Sequence, residues 1–184
     1  HQRSGISKSK VFHMATTNAL YEAQWERYGG AKRWTEPLPL MHLPTYDLES
    51  REVWTARTHW RHIFKSIRDR HELVVFYHAR HLWADKSDKL NNKGTDLFFE
   101  GWQMFRQRFP KISATVVTFE YGRDVQHTKQ LLKRLDVSES VIWLPLMSRK
   151  DIMAGLVDAD IACDELVNSW MGSGVTYEAL SMAV

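Results

Sequence analysis

The chain has 184 residues, 43% of them hydrophobic and 26% charged, enough for one solid domain of ordinary globular composition and unlike a disordered or fibrous chain. The net charge of +3 is unevenly spread: residues 1–70 carry 12 Lys/Arg against 7 Asp/Glu, residues 71–184 carry 13 against 15, and no cluster is dense enough for a nucleic-acid footprint. Cys163 is the only cysteine, so no intrachain disulfide can form, and no apolar run has the length of a membrane span or the build of a signal peptide.

In chain order, "KVFHMA" (10–15) reads as a short strand. In "TTNALYEAQWERYGG", Thr17 or Asn18 can cap a helix and Gly29-Gly30 can stop it. Pro37, Pro39 and Pro44 forbid helix in "EPLPLMHLPTYD", which is expected to be an extended linker. A basic helix is expected in "ARTHWRHIFKSIRDR" (56–70), with Trp60, Ile63, Phe64 and Ile67 on one face.

From His71 the pattern becomes regular. "ELVVFYH" is a continuous apolar run, as in a strand buried on both faces. A polar loop leads to "KGTDLFFEGWQMFRQRFP", where Leu97, Phe98, Gly101, Trp102, Phe105 and Phe109 recur at helical spacing before Pro110. "SATVVTFE" predicts the next strand, and "GRDVQHTKQLLKRLDV" a helix with Val125, Leu131, Leu132 and Leu135 inward. "SVIWLPL" is a strand. "SRKDIMAGLV" is a helix with Ser148 and Asp151 placed as a capping box. "DADIACD" is a short strand, and a last helix starts near Ser173. Four alternations of strand and helix predict a parallel sheet with helices on both faces. The start at His1 and the lack of a helix stop in "YEALSMAV" lead to the expectation of a fold incomplete at both ends.

In such sheets ligands bind outside the carboxyl ends of the strands. The loops there hold His78-Ala79-Arg80, Lys93-Gly94, Glu120-Tyr121-Gly122, Pro145-Leu146-Met147 and Gly172-Ser173-Gly174. A Gly-Ser-Gly step entering a helix offers unpaired amides and a positive helix end to an anion, or is simply a tight turn. Arg80 and Lys93, at the exit of the first regular strand, could neutralise a diphosphate, or be surface charges. Glu178, a turn inside the last helix, suits a vicinal diol, or compensates the helix dipole. His78 could line the same cleft. Trp83 and Trp170 lie in the site loops and are candidates for ligand contact, whereas Trp102 and Trp143 fall on core faces. The pairs His59/His62 and His78/His81 have metal-ligand spacing but no third ligand.

Together, "VVFYHAR", "NKGTDLFFEGWQMFRQRFP", "SATVVTFEYGRD" and "LLKRLDVSESVIWLPLMSRKDIMAGLVDADIACDELVNSWMGSGVTYEALSMAV" resemble the C-terminal, donor-binding domain of the group 1 retaining glycosyltransferases. These are GT-B-fold enzymes related to glycogen synthase and bacterial mannosyltransferases. The resemblance covers about residues 71–184 and implies a Rossmann-like α/β half of a GT-B fold. Residues 1–46 would then be the tail of the acceptor domain and the linker, 47–70 a connecting basic helical segment, and 71–184 the nucleotide-sugar domain.

The resemblance implies that Arg80 and Lys93 hold the donor diphosphate and stabilise it as it leaves. Glu178 would bind ribose, and Gly172, Ser173, Gly174 and Val175 would present amides to phosphate. Leu146 would meet the nucleobase through its backbone, and Gly122 would be the glycine kept from the family's Gly-Asp-Gly-Pro turn. Two departures stand out. Trp170 occupies the place of the family's first glutamate, for which Asp164 or Glu165 could substitute, and the stretch from Arg80 to Lys93 is longer by several residues.

The implied activity is transfer of a sugar, with retention, from a UDP-, GDP- or ADP-linked donor to a glycan, lipid-linked or other acceptor, without a metal or other cofactor. The implied setting is the cytoplasm, with peripheral contact at the inner membrane face made through the upstream domain. A nucleotide-sugar epimerase or a non-catalytic nucleotide-sugar-binding protein on the same fold is the alternative.

Overall fold

The computed structural model describes residues 11–14, 32–35, 46–47, 49–89, 91–167 and 174–184. The chain divides into two compact units, residues 1–40 and 41–184. In the first, strands β1 (Val11–Met14) and β2 (Lys32–Thr35) pair in parallel, Val11 opposite Lys32 and Met14 opposite Thr35. The short strand expected at 10–15 is present, and β2 is one that the pattern did not announce. The helix expected between them, most of the Pro-rich linker, and Trp170, Gly172 and Ser173 lie outside the described residues.

The second unit is built on a four-stranded, all-parallel sheet. Its strands are β3 (Leu73–Tyr77), β4 (Ala114–Phe119), β5 (Val141–Leu144) and β6 (Ile161–Cys163), in the spatial order β5-β4-β3-β6. Among the described residues, six α-helices accompany it: α1 (Arg51–Thr55), α2 (Arg61–Arg70), α3 (Thr95–Arg108), α4 (Val125–Arg134), α5 (Arg149–Leu156) and α6 (Gly174–Ser181). This is the expected α/β, Rossmann-like architecture. No helix among the described residues is long and apolar enough to cross a membrane.

The two-residue period of the central strands explains the layering. Val75 and Tyr77 of β3 and Val116 of β4 pack on one face with Phe99 and Trp102 of α3 and Leu131 and Leu132 of α4. Val74 and Phe76 of β3 and Val117 and Phe119 of β4 pack on the other with Phe64 and Ile67 of α2, Met153 and Leu156 of α5, and Met182 after α6. Every residue of β4 is buried, Thr115 and Thr118 included, and the Thr118 hydroxyl donates to the Tyr77 carbonyl at 2.8 Å.

Two helix expectations are corrected in detail. The basic helix begins at Arg61, not at Ala56, and residues 51–55 form a separate short helix. Thr58 breaks the run: its hydroxyl accepts the Trp60 amide at 3.2 Å and donates to Asp151. In α3, Leu97 is 48% exposed and Gly101 faces open space, while Phe99 is fully buried. Three consecutive apolar residues, Leu97 to Phe99, let two helical phases fit the sequence; in the structure Phe98 and Phe99 both pack on Tyr77 and Leu97 turns outward.

Candidate functional site

Strand order locates the crevice. From β3 the chain steps outward through β4 to β5 on one side and then crosses back to lay the last strand, β6, on the other side of β3, so the strand order reverses at β3. Beyond the carboxyl ends of β3 and β6 the loops part, and a cavity of about 310 Å³ opens there.

Each strand contributes to its wall. β3 delivers His78, Ala79 and Arg80, β4 delivers Phe119 and Tyr121, β5 delivers Leu146 and Met147, and β6 delivers Asp164 and Glu165. Arg149 and Ile152 come from the first turn of α5, and Gly174, Val175 and Glu178 from α6. Lys93 completes it. α5 is aimed by the Ser148 cap, whose side chain accepts the Asp151 amide and donates to the Asp151 carboxylate at 2.7 Å.

The long loop between Arg80 and Lys93 does not carry Lys93 away. The Lys93 amide donates to the Leu82 carbonyl at 2.8 Å, so residues 83–92 form an excursion closed at its base. The Lys93 carbonyl accepts the Leu166 amide at 3.0 Å, tying it to the loop after β6. Gly94, which follows, has φ +67°, and a Cβ there would sit 2.9 Å from the Val167 side chain. The excursion is pinned by Asp124, whose carboxylate accepts the Trp83 amide at 2.7 Å and the Ala84 amide at 3.0 Å. Burial works against the charged form of Asp124, but these two amides together with Arg123 hold its carboxyl below the usual carboxylate range.

Glu178 is held in the wall by two side chains. It is 8% exposed; Oε2 lies 3.0 Å from His78 Nε2 and Oε1 lies 2.7 Å from Arg149 Nε. A carboxylate only accepts, so His78 carries a proton on Nε2. His78 Nδ1 is buried and has no hydrogen-bond partner among the described residues. Lys93 Nζ is ion-paired with Glu165, itself 8% exposed. Thr176 Oγ1 donates to Asp164 Oδ2 at 2.7 Å. Arg80 is exposed and makes no ion pair among the described residues.

Of the residues singled out from the sequence, His78, Arg80, Lys93, Leu146, Gly174, Val175 and Glu178 line this one cavity. Gly122 does not. It has φ +116°, and a Cβ on it would lie 2.5 Å from the His81 carbonyl oxygen, so it is a glycine because the β3 and β4 exit loops touch there. Gly122→Ala is expected to cost about 1–3 kcal/mol of stability, read from the urea midpoint. An unchanged midpoint contradicts that account. Trp83 is also elsewhere: its Nε1 donates to Thr128 at 2.9 Å, over the α4 side of the core. Arg149 was present in the sequence without an assigned role. Its signal is its position, first in a capped helix directly after a strand's carboxyl end.

His81 belongs to the structure of the rim, not to a metal pair. Its Nε2 is 3.0 Å from Thr118 Oγ1 and its Nδ1 3.2 Å from Thr128 Oγ1, among the rings of Tyr77, Phe99 and Trp143. Burial lowers its pKa from 6.5 to about 4. The folded value lies below the unfolded one, so its contribution is complete above 6.5 and lost as pH falls toward 4. Stability is expected to drop by about 2 kcal/mol between roughly pH 7.5 and pH 5. His81→Gln should remove most of that drop in paired urea titrations, and an equal drop in the variant would contradict it.

No protein-family model matches this chain, and no curated protein matches it either.

Proposed function

We propose that the cavity is the donor site of a sugar-transferring enzyme, taking a nucleoside-diphosphate sugar and passing the sugar with retention to an acceptor hydroxyl. One observation carries this reading. At the β3/β6 crevice, Arg80, Lys93 and the amino end of α6 stand on the same cavity as a buried, immobilised Glu178. That combination suits a ligand with a diphosphate at one end and a diol at the other. An isolated anion would have no use for Glu178, and a neutral sugar none for the cations.

Glu178 has spent one lone pair of each oxygen on His78 and Arg149, and each oxygen retains another for a ribose hydroxyl. When the bond between the anomeric carbon and the diphosphate breaks, the electron pair goes to phosphate, the acceptor oxygen bonds to the anomeric carbon on the same face, and its proton passes to the departing phosphate oxygen. Arg80 and Lys93 then meet the growing negative charge, the kind of fixed electrostatic stabilisation that supplies much of the rate in group transfer. In this reading Glu165, on the wall beside Lys93, takes the part of the family's first glutamate, whose position is Trp170 in this chain. The reading carries with it a cytoplasmic location.

The test is direct. The intact protein is incubated with UDP-, GDP- and ADP-sugars, and binding and release of the nucleoside diphosphate are measured. The reading expects saturable binding of at least one, with turnover in the presence of acceptor. Absence of binding and of hydrolysis with all three would overturn it.

A further inference from the structure

The acids of the cavity wall constrain the ligand as much as its cations do. Among the described residues, three cations, Arg80, Lys93 and Arg149, and three carboxylates, Asp164, Glu165 and Glu178, line the wall, so these groups balance before any anion arrives. Resting on the nucleoside-diphosphate reading above, we infer that Glu165 is an internal competitor for the phosphate: it occupies Lys93 in the unliganded protein and sets how tightly a diphosphate binds.

The pair is built in by the backbone. Lys93 is held on both sides, its amide by the Leu82 carbonyl and its carbonyl by the Leu166 amide, so the main chain keeps the ammonium next to the β6 exit. Glu165 is fixed from its own side, its amide donating to Asp164 Oδ1 at 2.7 Å. Its side chain is 6% exposed, and its partner is Lys93. Asp164 and Glu178 are engaged elsewhere, with Thr176 and with His78 and Arg149. Among the described residues, Lys93 is therefore the cation shared between Glu165 and the incoming phosphate.

An ammonium has three N–H donors, so Lys93 can keep one on Glu165 and turn the others to a phosphate oxygen. Carboxylate and phosphate then share one cation at close range, in a partly buried site where like charges repel strongly. Arg80, exposed and outside any ion pair among the described residues, has no such competitor and is the first contact for the diphosphate.

The experiment compares wild-type and Glu165→Gln protein in equilibrium titrations with UDP, GDP and ADP, and with uridine, guanosine and adenosine. For the nucleotide that binds, the Gln variant is expected to hold the diphosphate about tenfold more tightly and the nucleoside equally well. Loss of packing alone would weaken both, so the nucleoside arm also reports whether the variant is folded. Glu165→Asp, which withdraws the carboxylate by one methylene, is a second variant expected to tighten diphosphate binding by a smaller factor. Unchanged or weaker diphosphate affinity in both variants, with nucleoside binding intact, overturns the competitor role and leaves the diphosphate reading standing. Failure of the wild-type protein to bind any of the three diphosphates overturns that reading and the competitor with it.

Discussion

Arg80→Ala is expected to lower sugar transfer by about a hundredfold to a thousandfold, the range lost when one fixed donor to a developing oxyanion is removed. The same substitution should leave the melting temperature unchanged. Arg80 is exposed, and no ion pair among the described residues depends on it, so its guanidinium is free to serve a ligand and costs the fold nothing when removed. Arg80→Lys should recover only part of the loss, because an ammonium cannot grip two phosphate oxygens in one plane. Initial-rate kinetics with a nucleotide-sugar donor check this. A change in turnover below about tenfold would remove Arg80 from the chemistry.

Glu178→Ala should act differently, on both binding and stability. It removes the acceptor proposed for the ribose, and it strands the His78 Nε2–H in a residue whose Nδ1 already lacks a partner among the described residues. It also releases Arg149 from the α6 side of the wall. Leaving a buried donor unsatisfied costs about 1–3 kcal/mol, and a lost hydrogen bond to a charged group corresponds to roughly a tenfold to hundredfold fall in affinity. The distinguishing feature is that nucleoside and nucleoside diphosphate should weaken together, since both carry the ribose. Substitutions at Arg80 or Glu165 should change the diphosphate alone. Unchanged affinity for the nucleotide in Glu178→Ala would end its assigned role.

What could be read in advance, and what could not, follows from the range of the forces involved. β3 was legible because a strand covered on both faces is apolar, as Val74–Tyr77 is, and β4 because β-branched residues fill its middle, Thr115 and Thr118 included. The Ser148 cap of α5 was legible because its partner lies three residues away. The phase of α3 was not, since the Leu97 to Phe99 run fits two faces and only packing on the sheet, where Phe99 is fully buried and Leu97 is left outside, decides between them.

The site divides in the same way. The strand-exit positions of His78, Arg80 and Leu146 and the helix position of Glu178 came from local pattern and order. The pairings Arg149–Glu178 and Lys93–Glu165 did not, because they join residues distant in sequence whose meeting depends on β6 lying beside β3. Nothing local to either strand encodes that neighbourhood. Gly122 was drawn toward the site by its place in a motif. Its positive φ and its contact with His81 give it a different reason to be glycine.

The claim on which the rest depends is that a nucleoside diphosphate seats in the cavity between the β3 and β6 exits. Backbone amide spectra of the isotopically labelled protein, titrated with UDP, GDP and ADP, test it residue by residue. The expected result is saturable movement, with at least one of the three, centred on Ala79, Arg80, Lys93, Glu165, Gly174 and Glu178, while Glu72 and Ser113 at the opposite ends of the strands stay still. Spectra unchanged by all three nucleotides, or changes centred away from that cavity, would contradict it.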